Sequence, residues 1–180
     1  MLIELLISMV ILTIGLGALM VLLMTAMYTN TRSAKDTTST MVAEHVLEQI
    51  SAVPADASNV IQLTDCANTT WSIATTGATL GAGSGTNGGN GSNLTSTGNV
   101  DWTQSYASVP ANYKMQFTGC GNGSQQTVYD VRWNVINMTT NPVATNYSRM
   151  VVVSARPLNT TQQGGLRFAL PANLRTIAGM

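Results

Sequence analysis

The chain of 180 residues carries no formal net charge at neutral pH, and only 9% of its residues are charged against 44% hydrophobic. Lysine occurs only at Lys35 and Lys114, so no basic patch for nucleic acid can be assembled, and His45 is the single histidine, which argues against a histidine-built metal or acid–base centre. Low charge with abundant Ser, Thr, Asn and Gly suits a water-exposed extracellular surface.

Residues 1–28 form an apolar run, MLIELLISMVILTIGLGALMVLLMTAMY, interrupted by one charge, Glu4. As a helix this run reaches roughly 40 Å at about 1.5 Å per residue, enough to cross a hydrocarbon layer about 30 Å thick. It has no basic start, no short apolar core and no small-residue cleavage site, so it reads as retained structure and not as a signal peptide. A carboxylate near the membrane centre costs about 2.5 to 3.5 kcal/mol, and less near an end, so Glu4 calls for a partner; an acid snorkelling to the membrane interface is the alternative. The α-amino group at Met1, or the terminus of a neighbouring copy, is the nearest candidate cation.

The segment LIELLISMVILTIG resembles the start of mature type IV pilins and of the pseudopilins of type II secretion. The resemblance implies that a short basic leader is removed by a prepilin peptidase at the inner membrane and that the new terminus is N-methylated. It further implies that the acid pairs with the terminal amine of the adjoining subunit during docking on a pilus assembly platform. The family has its acid at the fifth mature residue and this chain at the fourth, so either one residue, such as Phe, precedes Met1 or this protein shifts the pattern. In the family the stretch around Gly15 and Gly17 can lose helical order when subunits pack, which makes residues 14–19 a candidate hinge; close helix packing through small residues is the alternative.

Residues 29–53 turn amphipathic, with Ala34, Met41, Val42, Val46, Leu47, Ile50 and Val53 recurring at intervals of three and four, a face expected to lie against a head. Pro54 stops the pattern. One helix of about 52 residues, roughly 78 Å long, follows. His45, beside Glu44 and Glu48, belongs to the helix surface or to a helix-to-head contact.

Residues 54–112 read as a long connection with local strands near 60–63 and 71–74. Their centre, the Gly/Ser/Asn-rich segment 81–99, is expected to be an exposed loop, because ordering so much free backbone is entropically expensive. It lacks the Lys and Ser or Thr of a phosphate-cradling loop.

Residues 113–180 turn to β pattern, with runs at 113–120, 127–136, 149–156 and 166–170 between Gly, Asn and Pro clusters. In YDVRWNV, Tyr129, Val131, Trp133 and Val135 fall on one face. These runs predict an antiparallel sheet of about three to four strands covered by the helix, an α+β, pilin-like fold. Cys66 and Cys120 lie outside any membrane, where disulfides persist, and are expected to pair. Sequons at Asn68, Asn90, Asn93, Asn122, Asn137, Asn146 and Asn159 are candidate N-glycan acceptors, and composition alone also generates such triplets.

The functional expectation is a structural subunit of an extracellular type IV pilus-like filament on a bacterial surface. It draws on a membrane-embedded precursor pool and polymerises with itself through the N-terminal helices. The strand segments YDVRWNV and RMVVVSARP resemble those of minor pilins, so a priming or tip subunit, or a pseudopilin, is the alternative. A membrane-anchored enzyme would have to work with Asp56, Asp65, Asp101 and Asp130, the carboxylates of a head without histidine, and their spacing supports no catalytic pair. An adhesin would present Trp71 or Trp102, for which core packing is the plainer role. No cofactor and no nucleic acid is implied.

Overall fold

The computed structural model describes residues 2–54, 60–121, 126–138, 148–158 and 170–179. Helix α1 spans Leu2–Ser51. The chain divides into two compact units, Met1–Lys35 and Asp36–Met180, so the last part of α1 belongs to the second.

The first unit is helix. Every described side chain from residue 3 to residue 34 is exposed. Its hydroxyls are satisfied locally: Ser8 donates to the carbonyl of Glu4 at 2.8 Å, Thr13 to Val10 at 2.9 Å and Thr25 to Val21 at 2.8 Å. Such back-bonding lets a polar side chain sit on an apolar rod without an outside partner.

The second unit is a sheet with one helical face on it. Strands β1 (Val60–Thr64) and β2 (Thr70–Ala74) form an antiparallel hairpin. The six-stranded sheet contains β3 (Ala78–Thr79), β4 (Asn90–Gly91), β5 (Lys114–Thr118), β6 (Val128–Asn137), β7 (Ser148–Pro157) and β8 (Ala172–Gly179). One edge of β6 pairs along its length with β7, which pairs in turn with β8. The other edge takes three short strands end to end: β5 opposite Val128 to Arg132, β4 opposite Asn134 and Val135, and β3, in parallel, opposite Ile136 and Asn137.

β6 is central, with partners on both edges. Tyr129, Val131, Trp133 and Val135 alternate onto one face as expected, and all are buried. They meet Val151, Val153 and Ala155 of β7, Met115 of β5 and Ile73 of β2. Val42, Ala43, Val46 and Ile50 of α1 close the same cluster. Removing a Val, Ile or Met side chain from water in this way stabilises the fold by about 1.5–3 kcal/mol each. Trp133 keeps its indole satisfied by donating Nε1–H to the carbonyl of Ala74 at 3.0 Å.

Several expectations need correction. Met41 is 64% exposed although it fits the apolar period, since Ala43 takes the buried position beside Val42. The Gly/Ser/Asn-rich segment is an exposed loop only in part: residues 81–84, 86–87, 96–97 and 99 are exposed, whereas Gly88, Gly89, Gly91, Ser92 and Leu94 are buried, and Leu94 and Val100 form a small cluster with Ile136 and Val152 on the second face of the sheet. Polar side chains supply the backbone partners that make this ordering feasible. Asn134 donates Nδ2–H to the carbonyls of Gly88 at 3.2 Å and Ser92 at 2.7 Å, and Gln104 Oε1 accepts from Asn93 N–H at 2.8 Å and the Ser92 hydroxyl at 3.1 Å. The last strand is Ala172–Gly179 and not the expected 166–170, of which 166–169 lie outside the described residues. Finally, the short β3 adds one parallel pair to an otherwise antiparallel sheet.

Candidate functional site

The candidate site is the first unit itself. Most of its apolar side chains, including Ile3, Leu5, Ile11, Leu16, Val21 and Met27, are more than half exposed. Soluble surfaces rarely present contiguous apolar area on this scale, and such area marks contact with a membrane or another protein. The helix Ile3–Ser51 is long and apolar enough to cross a membrane, and none of its most apolar window is buried. Glu4, exposed in the first turn, is the only acid on that rod before Asp36. Met1 lies outside the described residues. The helix runs through Gly15 and Gly17, and a Cβ at either position meets nothing within 4 Å. Both glycines therefore present bare backbone to whatever packs there.

The head has its own polar fastenings, and sequence reading missed most of them. Arg149 of β7, fully buried on the core face, donates Nη1–H to the carbonyl of Thr75 at 3.1 Å and Nη2–H to the carbonyls of Ile50 and Val53. It thus caps the C-terminal end of α1, where carbonyls lack helical partners and the helix dipole is negative. Burial pulls its guanidinium below the usual arginine range.

Asp65 ties the hairpin to β5. Its Oδ1 accepts from the backbone of Ala67 and of Thr69, both at 2.9 Å, and its Oδ2 accepts from Trp71 Nε1 at 3.1 Å and Thr118 N–H at 3.2 Å. Burial pushes the carboxyl upward, but the indole of Trp71 and the three backbone donors outweigh it, and the net shift is below the usual carboxylate range. Beside this knot Cys66 and Cys120 form the expected disulfide, with Cα atoms 5.2 Å apart. Trp71 and Trp102 are each half-buried, and neither is a bare surface ring.

On the second face of the sheet, Arg132 grips Asp130 with Nε at 3.0 Å and Nη2 at 2.8 Å, while its Nη1 donates to the carbonyl of Gln104 at 2.6 Å. The guanidinium lies 4.6 Å from the ring centre of Trp102, and Arg156 lies 4.2 Å from it. Asp65 and Asp130 are thus both engaged in structural hydrogen bonds, on different faces of the head. His45 is exposed on α1. Among the described residues no group of three or more His, Cys, Asp or Glu side chains gathers as a metal site.

The sequons differ in setting. Asn68 is exposed in the turn of the β1–β2 hairpin at φ 61°. Asn90 Oδ1 accepts from Ser84 N–H, Asn93 Oδ1 from Thr86 N–H, and Asn137 Nδ2 donates to the carbonyl of Gly77. Asn122, Asn146 and Asn159 lie outside the described residues, as does Asp56.

One long apolar N-terminal helix followed by a mostly antiparallel sheet is a layout compatible with that of a pilin. No protein-family model, no curated protein and no solved structure matches this chain.

Proposed function

We propose that this chain is the structural subunit of an extracellular type IV pilus-like filament. One observation carries the reading: an exposed apolar rod with a lone acid in its first turn leads into a disulfide-bonded sheet head. In the bilayer the rod is solvated by lipid; in the filament, neighbouring rods of the same kind replace the lipid. That exchange alters apolar burial little, so packing and the charge pair decide docking. Glu4 supplies the pair, neutralising the terminal amine of the adjoining subunit, and Gly15 and Gly17 let rods approach closely or bend. The heads then form the outer surface, with Asn68 the best exposed of the described sequons. The subunit is structural and not catalytic, and its partners are further copies of itself, the processing peptidase and the assembly platform.

The test is Glu4→Gln, read as the amount of this chain in sheared extracellular filaments against the amount in the membrane. The reading expects filaments to vanish while the membrane pool persists. Abundant filaments of the variant overturn the pairing mechanism. Filaments that lack the wild-type chain point to the minor-pilin alternative, which the strand segments of β6 and β7 favour.

A further inference from the structure

The head carries an acidic stripe on the helix and a half-exposed arginine on the far face of the sheet. On the solvent face of the helix, Met41, Glu44, His45 and Glu48 recur three and four apart and are all exposed. Glu44 and Glu48 stand one turn apart, and no Lys or Arg occupies a position three or four residues from either. Like charges at that spacing disfavour a helix, so the pair is uncompensated by its own helical neighbours.

On the other side is Arg156 of β7, in register with Asp130 of β6. Among the described residues Asp130 is the acid it pairs with, yet Arg132 already holds that carboxylate through Nε at 3.0 Å and Nη2 at 2.8 Å, and Arg156 Nη2 stands off at 3.6 Å. The Arg156 side chain is 36% exposed and stacks on Trp102, which is itself fixed by donating Nε1–H to Ser154 Oγ at 3.1 Å. The guanidinium is therefore held in place, beside an acid that another arginine has taken. Among the described residues, the other charged groups of this face make local hydrogen bonds. Lys114 donates to the carbonyls of Tyr106 and Ala107, Asp101 accepts from Thr103, and Arg175 donates to the carbonyls of Thr97 and Gly98.

Side chains alternate across a sheet, so Asp130, Arg132, Ser154 and Arg156 share the face turned away from α1. The acidic stripe of α1 is turned away from the sheet. The two cannot meet within one chain. Patches on opposite sides of a molecule are joined head to tail, and a head-to-tail contact that does not close yields an open helical polymer.

We propose that Arg156 of one copy receives the Glu44 and Glu48 carboxylates of the next copy, as the contact that sets neighbouring heads in register. The proposal rests on the filament reading and adds to it a specific, charge-selected surface. Arginine on an aromatic shelf suits this role because its planar fork meets a carboxylate through two parallel N–H donors.

The experiment uses the full chain assembled in cells and weighs sheared filaments against the membrane pool. Arg156→Glu alone, and Glu44→Lys with Glu48→Lys, each lower filament recovery by about tenfold or more, whereas combining all three substitutions restores it to within about threefold. If R156E does not accumulate in the membrane, R156Q takes its place and must lower recovery alone, and a second arm raises salt. Wild-type filaments loosen between 0.15 and 1 M salt, where the screening length falls from about 8 to about 3 Å, and R156Q filaments respond less. Reversals that leave recovery unchanged, or a triple variant no better than the single ones, overturn this interface while leaving a Glu4-dependent filament intact. Complete absence of filaments from the wild type overturns the interface and the filament reading together.

Discussion

Arg149 and Ile50 meet where the helix ends: the guanidinium donates to the Ile50 carbonyl, and the same nitrogen reaches that of Val53. The contact joins the end of α1 to β7, elements about a hundred residues apart in sequence, through a cation that among the described residues donates to backbone carbonyls and to no carboxylate. Truncation removes the guanidinium donors from the carbonyls of Ile50, Val53 and Thr75, and leaves Ile50 with the Val53 N–H at 3.3 Å. Arg149→Ala is expected to lower the unfolding free energy of the head by about 3 kcal/mol. Denaturant unfolding of the full chain in detergent measures it, and a loss below about 0.5 kcal/mol would mean that the clamp is dispensable.

Asp65 ties stability to acidity. Its folded pKa is depressed, because the Trp71 indole and backbone donors outweigh the opposing effect of burial. The stabilisation is therefore complete above the unfolded carboxyl pKa, about 3.9, and is lost as pH falls through the lower folded value. Asp65→Asn is expected to cost about 2 kcal/mol at neutral pH and to flatten the melting-temperature decline of the wild type below about pH 4. Parallel declines in the two proteins would assign the acid sensitivity elsewhere.

The Cys66–Cys120 bridge has a sequence separation of 54 residues. Closing a loop of about that length restrains the unfolded chain by roughly 4 kcal/mol. Replacing both cysteines with serine is expected to lower stability by up to about that amount. The loss is measured by chemical unfolding under non-reducing conditions, and reduction of the wild type by dithiothreitol should produce a comparable loss.

Gly89 and Gly81 separate packing from backbone strain. Both have positive φ, 77° and 81°. A Cβ at Gly89 would run into Asn134 Oδ1, whereas one at Gly81 meets nothing within 4 Å. Gly81→Ala is expected to cost about 1 kcal/mol, and Gly89→Ala at least about 2 kcal/mol more, because it also displaces the buried Asn134 amide. Equal losses would show that the segment is not anchored on β6.

The long helix and the two long strands were legible because each repeats a single period over many residues. Leu2–Ser51 is apolar and then amphipathic, and VYDVRWNVIN and SRMVVVSARP carry branched or aromatic residues at the positions that become buried. β8 was not legible, since ANLRTIAG mixes Ala, Asn and Gly, and only pairing with β7 makes it a strand. Segment 81–99 misled for a related reason. Its glycines and serines announce freedom, but the residues that remove that freedom, Asn134 and Gln104, lie outside it in sequence. Glu4 stood out as the one charge in an apolar run of 28 residues. Arg149 and Arg156 did not, because a strand arginine looks the same in sequence whether it caps a helix, stacks on an indole or points into water.

The disulfide has a consequence for proteolysis. Since Cys66 and Cys120 are joined, a single backbone cut anywhere between them opens a covalent ring instead of releasing a fragment. A protease that nicked the glycine-rich segment would leave helix α1 and the strands of the head on one molecule. Such damage would show on a reducing gel and be invisible on a non-reducing one.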